Sequence, residues 1–164
     1  MFFCDRFFIY KIFDKMKEII VVIEASKDGF GAYAENVSGL YGAGSTIEEC
    51  KNSFLEAIEI YKEPDMIDSA PKCIVNGDCE IIYKYVGCGE LVVNVDWVEE
   101  NYCAIIDDSI LDGVVVVTEK DYEKLKLSVA ESIDFHVKGL IDGGGVVPEW
   151  LREKKYALNF VNRF

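Results

Sequence analysis

The sequence predicts an α+β chain made of two tandem β-β-β-α-β units. Two observations carry that expectation. First, residues 18–37 and 90–109 match one another at an offset of 72 positions, and the match resumes at an offset of 75 through the helices and last strands. Second, each half begins with alternating apolar and polar residues and then changes to an apolar stripe at spacings of three and four behind a capping residue. That is the change from strand period to helix period.

The first matched window is EIIVVIEASKDGFGAYAENV and the second is ELVVNVDWVEENYCAIIDDS. Val21 meets Val93, Ile23 meets Val95, Glu24 meets Asp96 and Phe30 meets Tyr102. Each window reads as a hairpin. Ile19, Val21, Ile23 and Ala25 form the core face of the first strand, and Leu91, Val93, Val95 and Trp97 that of its counterpart. The turns Lys27-Asp28-Gly29 and Glu99-Glu100-Asn101 correspond, with Asp-Gly and Asn supplying the positive φ that tight hairpins demand. Third strands follow near 40–44 and 113–117. The first of these is glycine-rich, which permits close backbone approach; the second is valine-rich, with strong strand propensity.

Helices come next. Thr46 with Glu49 forms a capping box, ahead of a stripe of Ile47, Cys50, Phe54, Ile58 and Tyr61. The second helix is expected to start after Thr118, with the stripe Tyr122, Leu125, Val129, Ile133 and His136. Closing strands Ile81–Val86 and Tyr156–Val161 then match. The expected strands are 18–25, 29–37, 40–44 and 79–86 with a helix over 46–62, then 90–98, 102–108, 113–117 and 155–161 with a helix over 119–138. The domain expectation is an extension over 1–15, one unit over 16–87 and a second over 88–164. The two units are expected to form an intramolecular pseudo-dimer about an approximate twofold axis.

Composition narrows the function. Of 164 residues, 51% are hydrophobic and 29% charged, a globular balance. The formal charge of −13 makes nucleic acid a poor direct partner, because phosphate binding needs a basic surface that releases counterions. A basic protein is the better fit. The first fifteen residues, MFFCDRFFIYKIFDK, are apolar but too often interrupted by charge for a bilayer span or a secretory leader. They read as an extension upstream of Met16, and the expected location is the cytoplasm, without membrane attachment. The six cysteines contain no C-x-x-C pair and read as reduced and mostly buried.

Residues 18–63 resemble the N-terminal domain of HicB-type antitoxins. The residues that carry this are Asp28-Gly29-Phe30, Glu35-Asn36-Val37-Ser38-Gly39, and Gly44-Ser45-Thr46 followed by Glu48-Glu49. The helix Phe54-Leu55-Glu56-Ala57-Ile58-Glu59-Ile60-Tyr61 continues the pattern. In the second half, Phe135-His136-Val137-Lys138-Gly139-Leu140 and Pro148-Glu149 resemble the family's helix end more distantly. Cys50 stands where the family usually has alanine. The last expected strand closes near Phe164, so a counterpart of the family's C-terminal DNA-binding segment is not expected. The resemblance implies a partial ribonuclease-H-like fold and a non-catalytic role. That role is to bind and neutralise a small basic toxin of the HicA type, an mRNA interferase with a double-stranded-RNA-binding fold. Charge steering of such a partner points to Glu24, Glu48, Glu56, Glu59 and Asp96 as partner-binding acids.

No catalytic or metal-binding residue and no cofactor is expected. The strand and turn acids sit at unrelated positions, whereas a two-metal pocket needs several acids converging on one point. His136 falls on a helix stripe, Gly143-Gly144-Gly145 closes a helix where a phosphate loop would open one, and Trp97 and Trp150 lack interleaved basic residues. Two other roles stay open: a stand-alone structural or regulatory HicB-like domain without a toxin, and a metal-dependent hydrolase of the ribonuclease-H type. The expected state is a monomer with an internal pseudo-twofold, or a homodimer.

Overall fold

A computed structural model describes residues 17–164. The expected extension over 1–15 and Cys4 lie outside the described residues. The chain divides into two compact units, the first ending at Val86 and the second running from Gly87 to Phe164. Both are mixed α+β.

In the first unit, β1 (Glu18–Ser26), β2 (Gly29–Ala34), β3 (Tyr41–Gly44) and β4 (Glu80–Val86) form one sheet in the order β3-β2-β1-β4. β1 runs antiparallel to β2 and parallel to β4. Helix α1 (Ile47–Ile60) packs on β3 and β2. Ile19, Val21 and Ile23 point to the helix side and are fully buried with Phe54 and Cys50. Thr46 caps α1, its hydroxyl accepting from Glu49 N–H at 3.1 Å, while the Glu49 carboxylate accepts from Ser45 N–H at 2.9 Å. The Ser45 hydroxyl, followed by its backbone N–H, holds the Glu49 carboxyl below its ordinary pKa.

β3 shows why the sequence is glycine-rich here. A Cβ on Gly44 would lie 2.5 Å from Cys50 N, and one on Gly42 2.6 Å from Phe54 N. Helix and strand therefore touch backbone to backbone, and the edge of the sheet closes under α1.

A short helix, α2 (Lys72–Asn76), precedes β4 and was not expected from the periodicity. It begins after Pro71, whose fixed φ suits a helix start, and ends at Gly77 in the left-handed conformation. The connection brings Cys73 and Cys79 within 4.9 Å between Cα atoms and joins them in a disulfide, which corrects the expectation that the cysteines are reduced. A six-residue separation gave no motif to read. The buried thiols of Cys50 and Cys88 do behave as small core residues.

The second unit repeats the order and sense: β5 (Gly89–Val98), β6 (Asn101–Asp108), β7 (Gly113–Glu119) and β8 (Tyr156–Asn162) form a sheet in the order β7-β6-β5-β8, with β5 antiparallel to β6 and parallel to β8. Helix α3 (Tyr122–Asp142) covers β7 and β6. Its buried stripe is Leu125, Val129, Ile133 and Val137. These pack with Leu91, Val93, Val95 and Ile106. A second short helix, α4 (Glu149–Arg152), follows Pro148. Trp150 on it rests against the backbone of Gly89, with Tyr156 edge-on at 6.4 Å.

Three local expectations shift. The second helix is capped by Asp121, whose carboxylate accepts from Lys124 N–H at 2.8 Å. Thr118 is β-branched and stays in the ladder opposite Cys103. The helix runs to Asp142, a turn beyond the expected end, and Val137 replaces His136 as its last buried residue. In the β5–β6 turn the positive φ values fall on Glu99 (48°) and Glu100 (67°). Asn101 instead starts β6, its side-chain amide donating to Glu99 O at 2.9 Å.

Candidate functional site

Among the described residues, each sheet has one face under its long helix and one face without a long helix. The outward side of β1 carries Ile20, Val22 and Glu24 because alternate residues share a face. The register sets Val22 beside Tyr33 on one side and Lys84 on the other, and Tyr33 beside Tyr41. The open face of the first unit is therefore a row of Tyr41, Tyr33, Val22 and Lys84. Tyr41 is 68% exposed and Val86, further along, 50%. The Lys84 ammonium donates to Glu35 at 2.6 Å, which ties β4 to the end of β2 across this face.

Glu24 is exposed two residues further along β1, opposite Gly31 in the neighbouring row. It lines a shallow groove with Tyr33, Tyr41, Gly31 and Ser26. A Cβ on Gly31 would meet nothing within 4 Å, so glycine leaves space beside the carboxylate. One acid in a groove with two tyrosines, and open room next to it, is a surrounding that suits a lysine or arginine side chain. The carboxylate supplies charge, and the ring faces attract a cation.

Asp96 occupies the equivalent place in the second unit. It faces outward on β5, half-buried, opposite Cys103. Across the sheet its row continues through Cys103 to Thr118. No tyrosine flanks it on that face.

Glu48, Glu56 and Glu59 stand elsewhere. All three are exposed on the solvent side of α1, and Glu59 accepts from Lys62 at 2.6 Å. Since α1 covers one face of the first sheet and Glu24 points from the other, the expected partner-binding acids do not form one cluster. Glu24 sits with aromatic residues, and the helix acids form a solvated face.

Sequence patterning missed Tyr33 and Tyr41. The signal that could have found them is the unbroken apolar run Ile19–Ile23. A strand that is apolar at every position packs on both faces, so its open face had to meet apolar neighbours.

Among the described residues no polar or charged residue is buried, and no group of three or more His, Cys, Asp or Glu is placed to hold a metal. His136 is half-buried with Nε2 within hydrogen-bond distance of Leu111 O. The Tyr156 phenol has a raised pKa, through burial first and then the negative charge of Asp134. The Glu153–Lys155 ion pair, 2.7 Å apart, lowers the carboxyl and raises the ammonium pKa. Among the described residues no helix is long and apolar enough to cross a membrane. No protein-family model matches the chain, and no curated protein or solved structure does either.

Proposed function

We propose that the chain is a HicB-like, non-catalytic protein-binding module of the antitoxin type, whose partner is a small basic HicA-like mRNA interferase. The observation that carries this reading is the Glu24 groove: a carboxylate that shares one shallow groove with the exposed rings of Tyr33 and Tyr41. Contiguous exposed apolar surface marks interaction sites, and an acid set among aromatics selects a cationic side chain within it. The net charge of −13 adds long-range attraction for a basic partner and competes with the RNA phosphates that such a partner binds. The identical strand order of the two sheets supports duplication of one ancestral module; an internal pseudo-dimer of the two units is part of the proposal. A cytoplasmic location belongs to the same reading.

The test is RNA cleavage by a small basic HicA-like mRNA interferase, measured with and without the chain. Equimolar wild-type chain suppresses cleavage. Glu24→Lys combined with Tyr33→Ala loses suppression, whereas Glu48→Lys combined with Glu56→Lys retains most of it. Suppression untouched by the first pair and lost with the second would move the interface to α1. No suppression by the wild type, with no complex formed, would leave a structural or regulatory domain without a toxin. Cleavage by the chain itself in the presence of a divalent cation would support the hydrolase.

A further inference from the structure

The two sheets end differently at matching places. β3 is four residues long, half glycine, and lies against the α1 backbone. β7 is seven residues long and reads Gly-Val-Val-Val-Val-Thr-Glu. It too is an edge strand, hydrogen-bonded only to β6 within its sheet. Val117 and Glu119 stand where β3 has Gly42 and Gly44, so α3 cannot settle on this strand as α1 does on β3. A groove is left between them, lined by Val114, Val116, Ser132, Phe135 and His136. Phe135 on its wall is 82% exposed.

Edge strands are ordinarily protected by charge, proline, a bulge or short length, because their unpaired N–H and C=O groups invite another strand. β4 carries Glu80 and Lys84, and β8 is interrupted at mid-strand by Asn159. β7 carries a single charge, Glu119 at its end, whose carboxylate accepts from the Ser128 hydroxyl of α3 at 2.9 Å, and from Gly113 to Thr118 it has none of these protections. Such a segment persists in a folded protein when something pairs with it.

We propose that β7 is the edge through which two copies of this chain join, antiparallel and centred on Val116. The self-complementarity of the strand argues for a second copy. In that register Val116 faces its own counterpart, Val114 faces Thr118, and Val115 faces Val117, all β-branched cross-strand pairs. Asp112 then falls opposite Lys120 at both ends. Both are exposed, and neither is in an ion pair among the described residues. The twofold axis stands perpendicular to a continuous eight-stranded sheet, which keeps both α3 helices on one side and turns each Phe135 toward the other copy's groove.

The experiment is sedimentation equilibrium of the full chain over a concentration series, with circular dichroism as the folding control. The wild type dimerises reversibly. Val116→Lys, which sets two ammonium groups against each other at the axis, is monomeric with an unchanged dichroism spectrum. Lys120→Glu, a surface change that leaves the core alone, weakens the dimer about tenfold at low salt through loss of two ion pairs. That effect disappears in about 1 M salt, where screening acts within about 3 Å. A wild type that is monomeric at every concentration overturns the proposal, as does a dimer indifferent to both substitutions. Slow amide exchange of β7 in a monomer also overturns it, since another part of the same chain would then cover the edge.

Discussion

Replacing Gly44 by alanine sets two effects of opposite sign against each other. Its φ is not in the left-handed region, so alanine suits the backbone. Removing a glycine from the unfolded chain would by itself add about 0.4–1 kcal/mol of stability. Against that, the new methyl would lie 2.5 Å from Cys50 N and 2.8 Å from Glu49 C, both helix backbone atoms. Backbone cannot rotate away as a flexible side chain can, so α1 must lift from β3. Overpacking of this kind costs about 1–3 kcal/mol, and lifting α1 also loosens Phe54, which is fully buried beneath it. The net expectation is destabilisation by about 1–2 kcal/mol. Gly31 is the internal control: it sits on the neighbouring strand with nothing within 4 Å of its missing Cβ. Gly31→Ala is expected to stabilise by a few tenths of a kcal/mol up to about 1. Urea unfolding of the full chain, followed by far-ultraviolet dichroism, reads both. If Gly44→Ala is as stable as Gly31→Ala, the backbone contact between α1 and β3 is wrong, and with it the contrast between the β3 and β7 edges.

The β5–β6 turn offers a second test. Glu99 and Glu100 both hold positive φ, which costs an ordinary residue about 1 kcal/mol or more each. Asn at position 99 with Gly at 100 suits this turn type, so Glu99→Asn with Glu100→Gly should raise stability by about 1–2 kcal/mol, seen as a higher melting temperature. A lower one would remove the turn geometry. The capping box predicts a pH effect. Because the Glu49 pKa is lowered in the folded chain, its contribution is present above the unfolded-state pKa and is lost as pH falls through the lower, folded one. Unfolding midpoints across the acid range should therefore decline less steeply in Glu49→Gln, and parallel curves would deny the carboxylate its role. The Cys73–Cys79 disulfide closes a short loop, so Cys79→Ser should cost the first unit about 2 kcal/mol. Alkylation and mass spectrometry of the chain isolated under thiol-blocking conditions should find these two cysteines unmodified. Labelling of both would show them reduced in the cell.

Strand and helix positions were legible where period and burial agree. Ile19, Val21 and Ile23 alternate toward one helix, and Leu91, Val93 and Val95 do so toward the other. Thr46 and Glu49 announced the first helix through a hydroxyl and a carboxylate at the right spacing. What stayed hidden depended on partners distant in sequence. The Cys73–Cys79 bond needs the α2 turn to bring the two together, and α2 and α4 are too short for a periodic pattern to register. The second cap was misplaced because Thr118 suits a strand as well as a cap, and its pairing with Cys103 decided between them. The candidate acids were legible as acids only. Which of them has aromatic company depends on the β2–β3 register, where Tyr33 comes to lie beside Tyr41, and no local pattern encodes that pairing.

The groove of Glu24, Tyr33 and Tyr41 as the seat of a basic side chain is tested most directly by nuclear magnetic resonance. A small basic protein of the proposed partner class would be titrated into the isotopically labelled full chain, with backbone amide shifts as the readout. Shifts concentrated on Glu24, Gly31, Tyr33 and Tyr41, and abolished by Glu24→Lys, are the expected result. Shifts confined to α1, or none at saturating partner, would contradict it.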